Sequence, residues 1–201
     1  MDRLQPSTCY HIYNHANGSE NIFREAENYR FFLEKYDLYI SPVAETLAWC
    51  LMPNHFHLLI QVKDESALLN KAFPKFETLE KLTAANGISK QFGNLFSSYT
   101  QSFNKKYKRM GSLFMKNFKR STVHTDSYFS KVIHYIHANP VHHGFVTAIP
   151  DWYWSSYHSF LSNAPTKINR EAILNWFGGK EGFIHFHQQP VYLKGKDMFD
   201  D

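Results

Sequence analysis

Cysteine is scarce: Cys9 and Cys50 are the two in 201 residues. They lie far apart in the chain, so a disulfide framework is excluded and a cytoplasmic protein with reduced thiols is expected. No run of about 18 apolar residues occurs, which excludes a transmembrane helix and predicts no membrane partner. The opening residues MDRLQPSTCYHIY contain no apolar signal region. Several chemical motifs are missing too. There is no Gly-rich phosphate loop, no GxSxG elbow, no CxxC pair and no DxD. Their absence argues against P-loop enzymes, serine hydrolases, zinc ribbons and two-carboxylate nucleases. Internal repeats and low-complexity tracts are also lacking.

Apolar residues make up 43% of the chain and aromatics 17%, enough to fill the core of one domain. The net charge of +4 is unevenly placed. Residues 104–120, NKKYKRMGSLFMKNFKR, hold Lys105, Lys106, Lys108, Arg109, Lys116, Lys119 and Arg120 and no acid, so the remainder is net acidic. A basic block interleaved with Tyr107, Phe114 and Phe118 suits phosphate contact with base stacking. The plainer reading is a solvated junction between a helix and a strand.

Residues 8–15, TCYHIYNH, read as a first strand, and 20–39 as a helix with apolar residues at helical spacing. Strands over 43–52 and 55–62 flank Pro53-Asn54, the pattern of an antiparallel hairpin. Residues 65–107 are mostly helical, interrupted near Pro74 and at Asn86-Gly87. A fourth strand is expected over 112–123. Thr125 or Asp126 caps a helix that Pro140 ends. The order β-α-β-β-α-β, followed by a further helix, predicts an α+β domain. Its ferredoxin-like antiparallel sheet carries helices packed on one face. An aromatic tail (Trp152, Tyr153, Trp154, Tyr157, Phe160) reads as packing, and a last helix near 170–177 ends at Gly178-Gly179.

In PNHFHLLIQV, residues 53–62, period two puts Phe56, Leu58, Ile60 and Val62 on one face. His55, His57, Leu59 and Gln61 share the other, with the imidazoles roughly 7 Å apart along the strand. The apolar face requires the core; the histidines are either idle surface or a paired binding site. A second pair, His185 and His187, is expected on a short helix, where positions i and i+2 diverge, and is discounted. On the helix after Asp126, Phe129, Val132, Ile133 and Ile136 form the core stripe. Tyr128, Tyr135 and Asn139 gather on one flank of it, with Lys131 slightly further round. Rim packing accounts for such tyrosines without any chemistry.

These residues together resemble the HUH single-tyrosine transposases, in particular the REP-associated tyrosine transposases. PNHFHLLIQV is similar to the family's histidine-hydrophobe-histidine strand. YIHANPVHHGFV, from Tyr135, is similar to its nucleophile helix, GSLFMKNFKR to its basic strand, and DWYWSSYHSF to its Trp-Ser-Ser element. The set runs in family order over about 8–161. The resemblance implies a catalytic domain over 1–161 with a nucleophile-bearing helix, and an extension of unknown role over 162–201. It implies that His55, His57 and Asn139 hold one divalent ion, Mg²⁺ or Mn²⁺. Tyr135 then attacks a phosphodiester of single-stranded or hairpin DNA to form a 5′-phosphotyrosine link. The seven cations of the basic block and Lys131 hold the DNA. A homodimer in which the tyrosine serves the other subunit is possible in such a family, as is a monomer. Three other readings stand beside this one: a non-cleaving DNA-binding protein of the same fold, a metal-dependent hydrolase that uses water, and incidental histidines in a structural protein.

Overall fold

The computed structural model describes residues 3–73, 75–84 and 86–190. The break expected at Pro74, the first two residues and the last eleven of the C-terminal extension lie outside the described residues. Along the chain run β1 (Cys9–His15), α1 (Ala26–Tyr39), β2 (Ala44–Met52) and β3 (His55–Val62). Then come the short α2 (Glu65–Ala67), a π-helical turn Leu68–Ala72, α3 (Leu79–Ala84) and α4 (Gly87–Tyr107). The last part holds β4 (Lys119–Thr122), α5 (Asp126–His142), α6 (Tyr157–Leu161), α7 (Arg170–Trp176) and α8 (Lys180–Gln188). The strands form one four-stranded sheet in the order β2-β3-β1-β4, every neighbouring pair antiparallel. This is the α+β, ferredoxin-like arrangement that the order of elements predicts.

Two cores sandwich the sheet. On one face Tyr29, Phe32 and Tyr36 of α1 recur at helical spacing, as do Ile88, Phe92, Leu95, Tyr99 and Phe103 of α4. Both rows pack on Tyr10 and Ile12 of β1 and on Phe56, Leu58, Ile60 and Val62 of β3. Phe32, Phe56 and Tyr99 are almost wholly buried, so truncating Phe56 to Ala would cost about 3–5 kcal/mol. The opposite face is covered by α5. Its Val132, Ile133 and Ile136 meet Leu47, Ala48, Cys50 and Met52 of β2 and Leu59 of β3. Tyr157, Phe160, Ile173 and Phe183 close that second core from the C-terminal helices. Strand β3 is therefore buried on both sides, with only Gln61 half-buried.

Three details differ from the sequence reading. Helix α5 passes through Pro140 and ends at His142. Proline there removes one N–H near the helix end, and the next turn is kept by the His143 N–H donating to the Asn139 carbonyl at 3.0 Å. The fourth strand is shorter than expected. Ahead of Lys119 the chain makes an isolated bridge from Phe114 to Ala16, and Gly111 and Asn117 hold φ values of 87° and 66°, which break a ladder. Phe114 and Phe118 are buried in the first core, so they are not the base-stacking groups their place in the basic block suggested. Among the described residues no helix is long and apolar enough to cross a membrane, and Cys9 and Cys50 are both free.

Candidate active site

Antiparallel register assembles the site. His57 of β3 lies opposite Tyr13 of β1, and His55 opposite His15, so the odd-numbered residues of β1 share the face of the paired histidines. Four imidazoles and a phenol therefore meet there. The His15 and His55 rings stack with centroids 4.6 Å apart and 8° between planes. His11 lies 5.0 Å from His57, and Tyr13 lies 5.5 Å from it. His55 and His57 themselves are 5.3 Å apart, ring planes nearly perpendicular. Both are essentially buried.

Each of these two rings makes a hydrogen bond through Nδ1. His57 Nδ1 lies 2.9 Å from His11 Nε2, and His55 Nδ1 lies 2.7 Å from Asn54 Oδ1. Outer partners of this kind fix an imidazole's rotation and its tautomer. His11 and Asn54 take that role here. Sequence pattern alone gives no function to His11, Asn54 or His15. A signal was present: His11, Tyr13 and His15 alternate along TCYHIYNH just as His55 and His57 do. Its meaning depended on the register between β1 and β3.

Tyr135, Asn139 and the C-cap residue His143 follow one another at one-turn spacing along one flank of α5. Half-buried Tyr135 stands edge-on to His57, centroids 5.4 Å apart at 88°, and edge-on to His11 at 6.0 Å. Two turns on, His143 contacts His55 at 4.8 Å. Asn139 lies between them on the same stripe and is fully buried. Neither its amide oxygen nor its amide nitrogen has a hydrogen-bond partner among the described residues. A buried amide left so costs about 1–3 kcal/mol. The structure thus brings Tyr135 against His57, beside His55, within one chain, with Asn139 one helical turn further along α5. Among the described residues, no three His, Cys, Asp or Glu side chains converge as a ready metal cage. A donor set here would have to be two imidazoles and an amide oxygen.

The cations divide. Lys105, Lys108, Lys116 and Lys119 are exposed, and Lys131 is half-buried on α5. Lys106 is paired with Glu25 at 2.8 Å and with Glu27. Arg109 is built into its loop: Nε donates to Glu20 at 2.9 Å, and the other nitrogens donate to Asn104 Oδ1 and the Ser112 carbonyl. That contact holds the Glu20 carboxyl below the usual range. On β4, Lys119 lies opposite Tyr13 and so shares the site's face, whereas Arg120 lies opposite Ile12, on the far face. Arg120 donates to Ser89 Oγ at 3.0 Å and stacks on Phe118 at 4.6 Å.

No family profile matches the chain. Over 161 residues it is 30% identical to a Haemophilus influenzae protein assigned as a REP-associated tyrosine transposase, an alignment spanning 77% of this chain and 76% of that one. The chain belongs to the REP-associated tyrosine transposases. Its fold agrees with that family. A solved REP-associated tyrosine transposase bound to a REP hairpin superposes with a TM-score of 0.59, covering 83% of this chain and 90% of that one at 14% identity.

Proposed function

We propose that this REP-associated tyrosine transposase is a metal-dependent strand transferase that cuts and rejoins single-stranded or hairpin DNA through Tyr135. One observation carries the reading. The Tyr135 ring stands against His57 one helical turn from a fully buried Asn139 amide whose polar atoms have no hydrogen-bond partner among the described residues. A divalent ion held by His55, His57 and the Asn139 oxygen would give that oxygen its partner. Two imidazoles and an amide are neutral donors, so Mn²⁺ fits them better than Mg²⁺ unless phosphate oxygens complete the shell. When bound, such an ion supplies Lewis-acid polarisation of the scissile phosphate.

The chain's own groups do the rest. The Tyr135 hydroxyl gives up its proton and its oxygen attacks phosphorus. The bond from phosphorus to the 3′ oxygen breaks, and that oxygen leaves as a 3′-OH. The DNA stays joined to Tyr135 through its 5′ phosphate. Attack by a 3′-OH on the phosphotyrosine re-forms a phosphodiester and returns the phenol. Bond energies nearly balance, so no external energy source is needed. A phenol ionises near pH 10, which makes it a workable leaving group on return. Tyr135 meets His57 of its own chain, which supports a reaction carried out within one subunit.

The DNA class is supported by the similar fold solved with a REP hairpin and by the exposed Lys119, which shares the site's face. A phosphodiester can reach this half-buried tyrosine only outside a regular duplex. Free Cys9 and Cys50 fit action in a reducing cytoplasm.

The deciding experiment mixes the protein with end-labelled hairpin DNA and Mn²⁺ and resolves covalent adducts under denaturing conditions. Wild type forms an adduct, and Tyr135→Phe forms none while still binding DNA. Tyr128→Phe, altered one heptad earlier on the same helix, keeps the adduct. Cleavage by Tyr135→Phe would instead identify water as the nucleophile, and DNA binding without cleavage by wild type would identify a non-cutting binder.

A further inference from the structure

The C-terminal helices contribute a second histidine cluster that the proposed chemistry does not use. His187 of α8 and His137 of α5 are both buried, with His137 Nδ1 2.8 Å from His187 Nε2. His187 Nδ1 lies 2.8 Å from the Phe183 carbonyl oxygen. His137 Nε2 lies 2.7 Å from Ser156 Oγ. Ser156 Oγ in turn lies 2.9 Å from the backbone nitrogen of Trp49 in β2.

The polarity of this chain of bonds follows from its ends. A carbonyl only accepts, so His187 must donate from Nδ1 and, as a neutral ring, accept at Nε2. His137 must therefore donate from Nδ1 and accept at Nε2, and the Ser156 hydroxyl must donate to it. The Ser156 oxygen is then the acceptor for the Trp49 N–H. With both rings neutral, every donor and acceptor has one assignment. Burial lowers the proton affinity of both rings.

The anchor points give the chain its meaning. Ser156 grips Trp49 twice, since its own N–H donates to the Trp49 carbonyl at 2.8 Å. The next residue, Cys50, pairs across the sheet with His57. His137 is two residues from Tyr135 and two from Asn139. From these contacts we infer that His137, Ser156 and His187 are positioning residues that fix the rotation of α5 above the sheet, holding Tyr135 and Asn139 over His57 and His55. The helices after residue 161, with their role otherwise unassigned, then belong to the catalytic apparatus. The consequence for reaction rate rests on the strand-transferase reading; the positional consequence does not.

The test uses the full chain with His187→Leu, which removes the acceptor for His137, and His187→Gln, whose amide oxygen restores it. Two readouts are needed. In long-range ¹H–¹⁵N spectra, wild-type His137 and His187 both appear as Nδ1–H tautomers. His187→Leu shifts the Tyr135 ring and Asn139 side-chain amide signals, and His187→Gln leaves them near wild type. In single-turnover assays at saturating hairpin DNA, His187→Leu lowers the adduct rate at least 10-fold with the DNA Kd unchanged within about 2-fold. His187→Gln stays within about 3-fold of wild type. If His187→Leu does not fold, Ser156→Ala, which removes a single hydroxyl, replaces it with the same expectations. An Nε2–H tautomer at His137, unmoved Tyr135 and Asn139 signals, or an unchanged adduct rate in a folded variant overturns the inference. No adduct from wild type sinks the underlying reading instead, and the spectra alone then decide the positional claim.

Discussion

On one flank of α5, Tyr135, Asn139 and His143 face His57 and His55; on another, His134 and His137 meet His187 and Ser156. Both clusters are buried imidazoles gathered by the same helix, yet they are finished differently. The chain of bonds through His137 is continuous from the Trp49 N–H to the Phe183 carbonyl, and of its neighbours only His134 keeps a buried ring nitrogen, Nδ1, without a hydrogen-bond partner among the described residues. The His57 cluster borders a half-buried phenol and a fully buried amide that has no hydrogen-bond partner among the described residues. Burial alone therefore does not mark a functional histidine. A polar set that the fold completes by itself holds structure, and one that it leaves incomplete invites a ligand.

Substitution at His57 should break the comparison most sharply. His57→Ala is expected to cut the single-turnover adduct rate by roughly a thousandfold, the several kcal/mol that a ligand to a Lewis-acid metal contributes. Circular dichroism should still show a folded protein. Full activity in His57→Ala would place both clusters in the structural class.

Acid should act on the cluster around His137. His134 is lowered to about 4 and His187 to about 3, in both cases chiefly by burial. Each folded-state value lies below the unfolded value, so the unfolded chain takes up protons first as pH falls. Stability from these rings is complete above about pH 6.5 and is lost below it. Between pH 7 and pH 5 the loss is on the order of 2 kcal/mol per ring. Thermal melts at the two pH values should show it. His187→Leu should have a flatter dependence than wild type, and an equal slope would show that these rings do not carry the effect.

A smaller effect concerns His11, which touches His57 and not the proposed ion. His11→Leu should weaken Mn²⁺ binding, followed by electron paramagnetic resonance, by about 10- to 100-fold. Unchanged binding would reduce His11 to a packing residue.

These three cases also show what the sequence could reveal. His55 and His57 were legible because a strand alternates strictly, and Tyr135 with Asn139 because a helix repeats every turn. Both are local rules. His11 and His15 obey the same alternation but gain meaning only through the β1–β3 register, which is a long-range fact. Asn139 is harder to read because Pro140 usually ends a helix, whereas here the Asn139 carbonyl accepts from the His143 N–H one turn later. His185 and His187 were rightly separated by helical geometry, since His185 is exposed and His187 buried. What no local rule could supply was the partner of His187, fifty residues away on another helix. The basic block misled in part because charge density says nothing of direction, and its phenylalanines turned inward to the first core.

That last point gives the finest test of the comparison. Lys119 and Arg120 are neighbours of like charge, yet the strand points them to opposite faces. Lys119 is opposite Tyr13 on the histidine face, while Arg120 is opposite Ile12 and is occupied by Ser89 and Phe118. If hairpin DNA lies across the histidine face, Lys119→Ala should remove about one phosphate contact. The slope of log Kd against log salt would then flatten by about 0.7 to 0.9. Arg120→Ala should leave that slope unchanged and lower the melting temperature instead, because a side chain packed on Phe118 and bonded to α4 is lost. Equal slopes for the two variants would mean that the DNA is attracted by the basic block as a whole and that the direction of each strand residue plays no part.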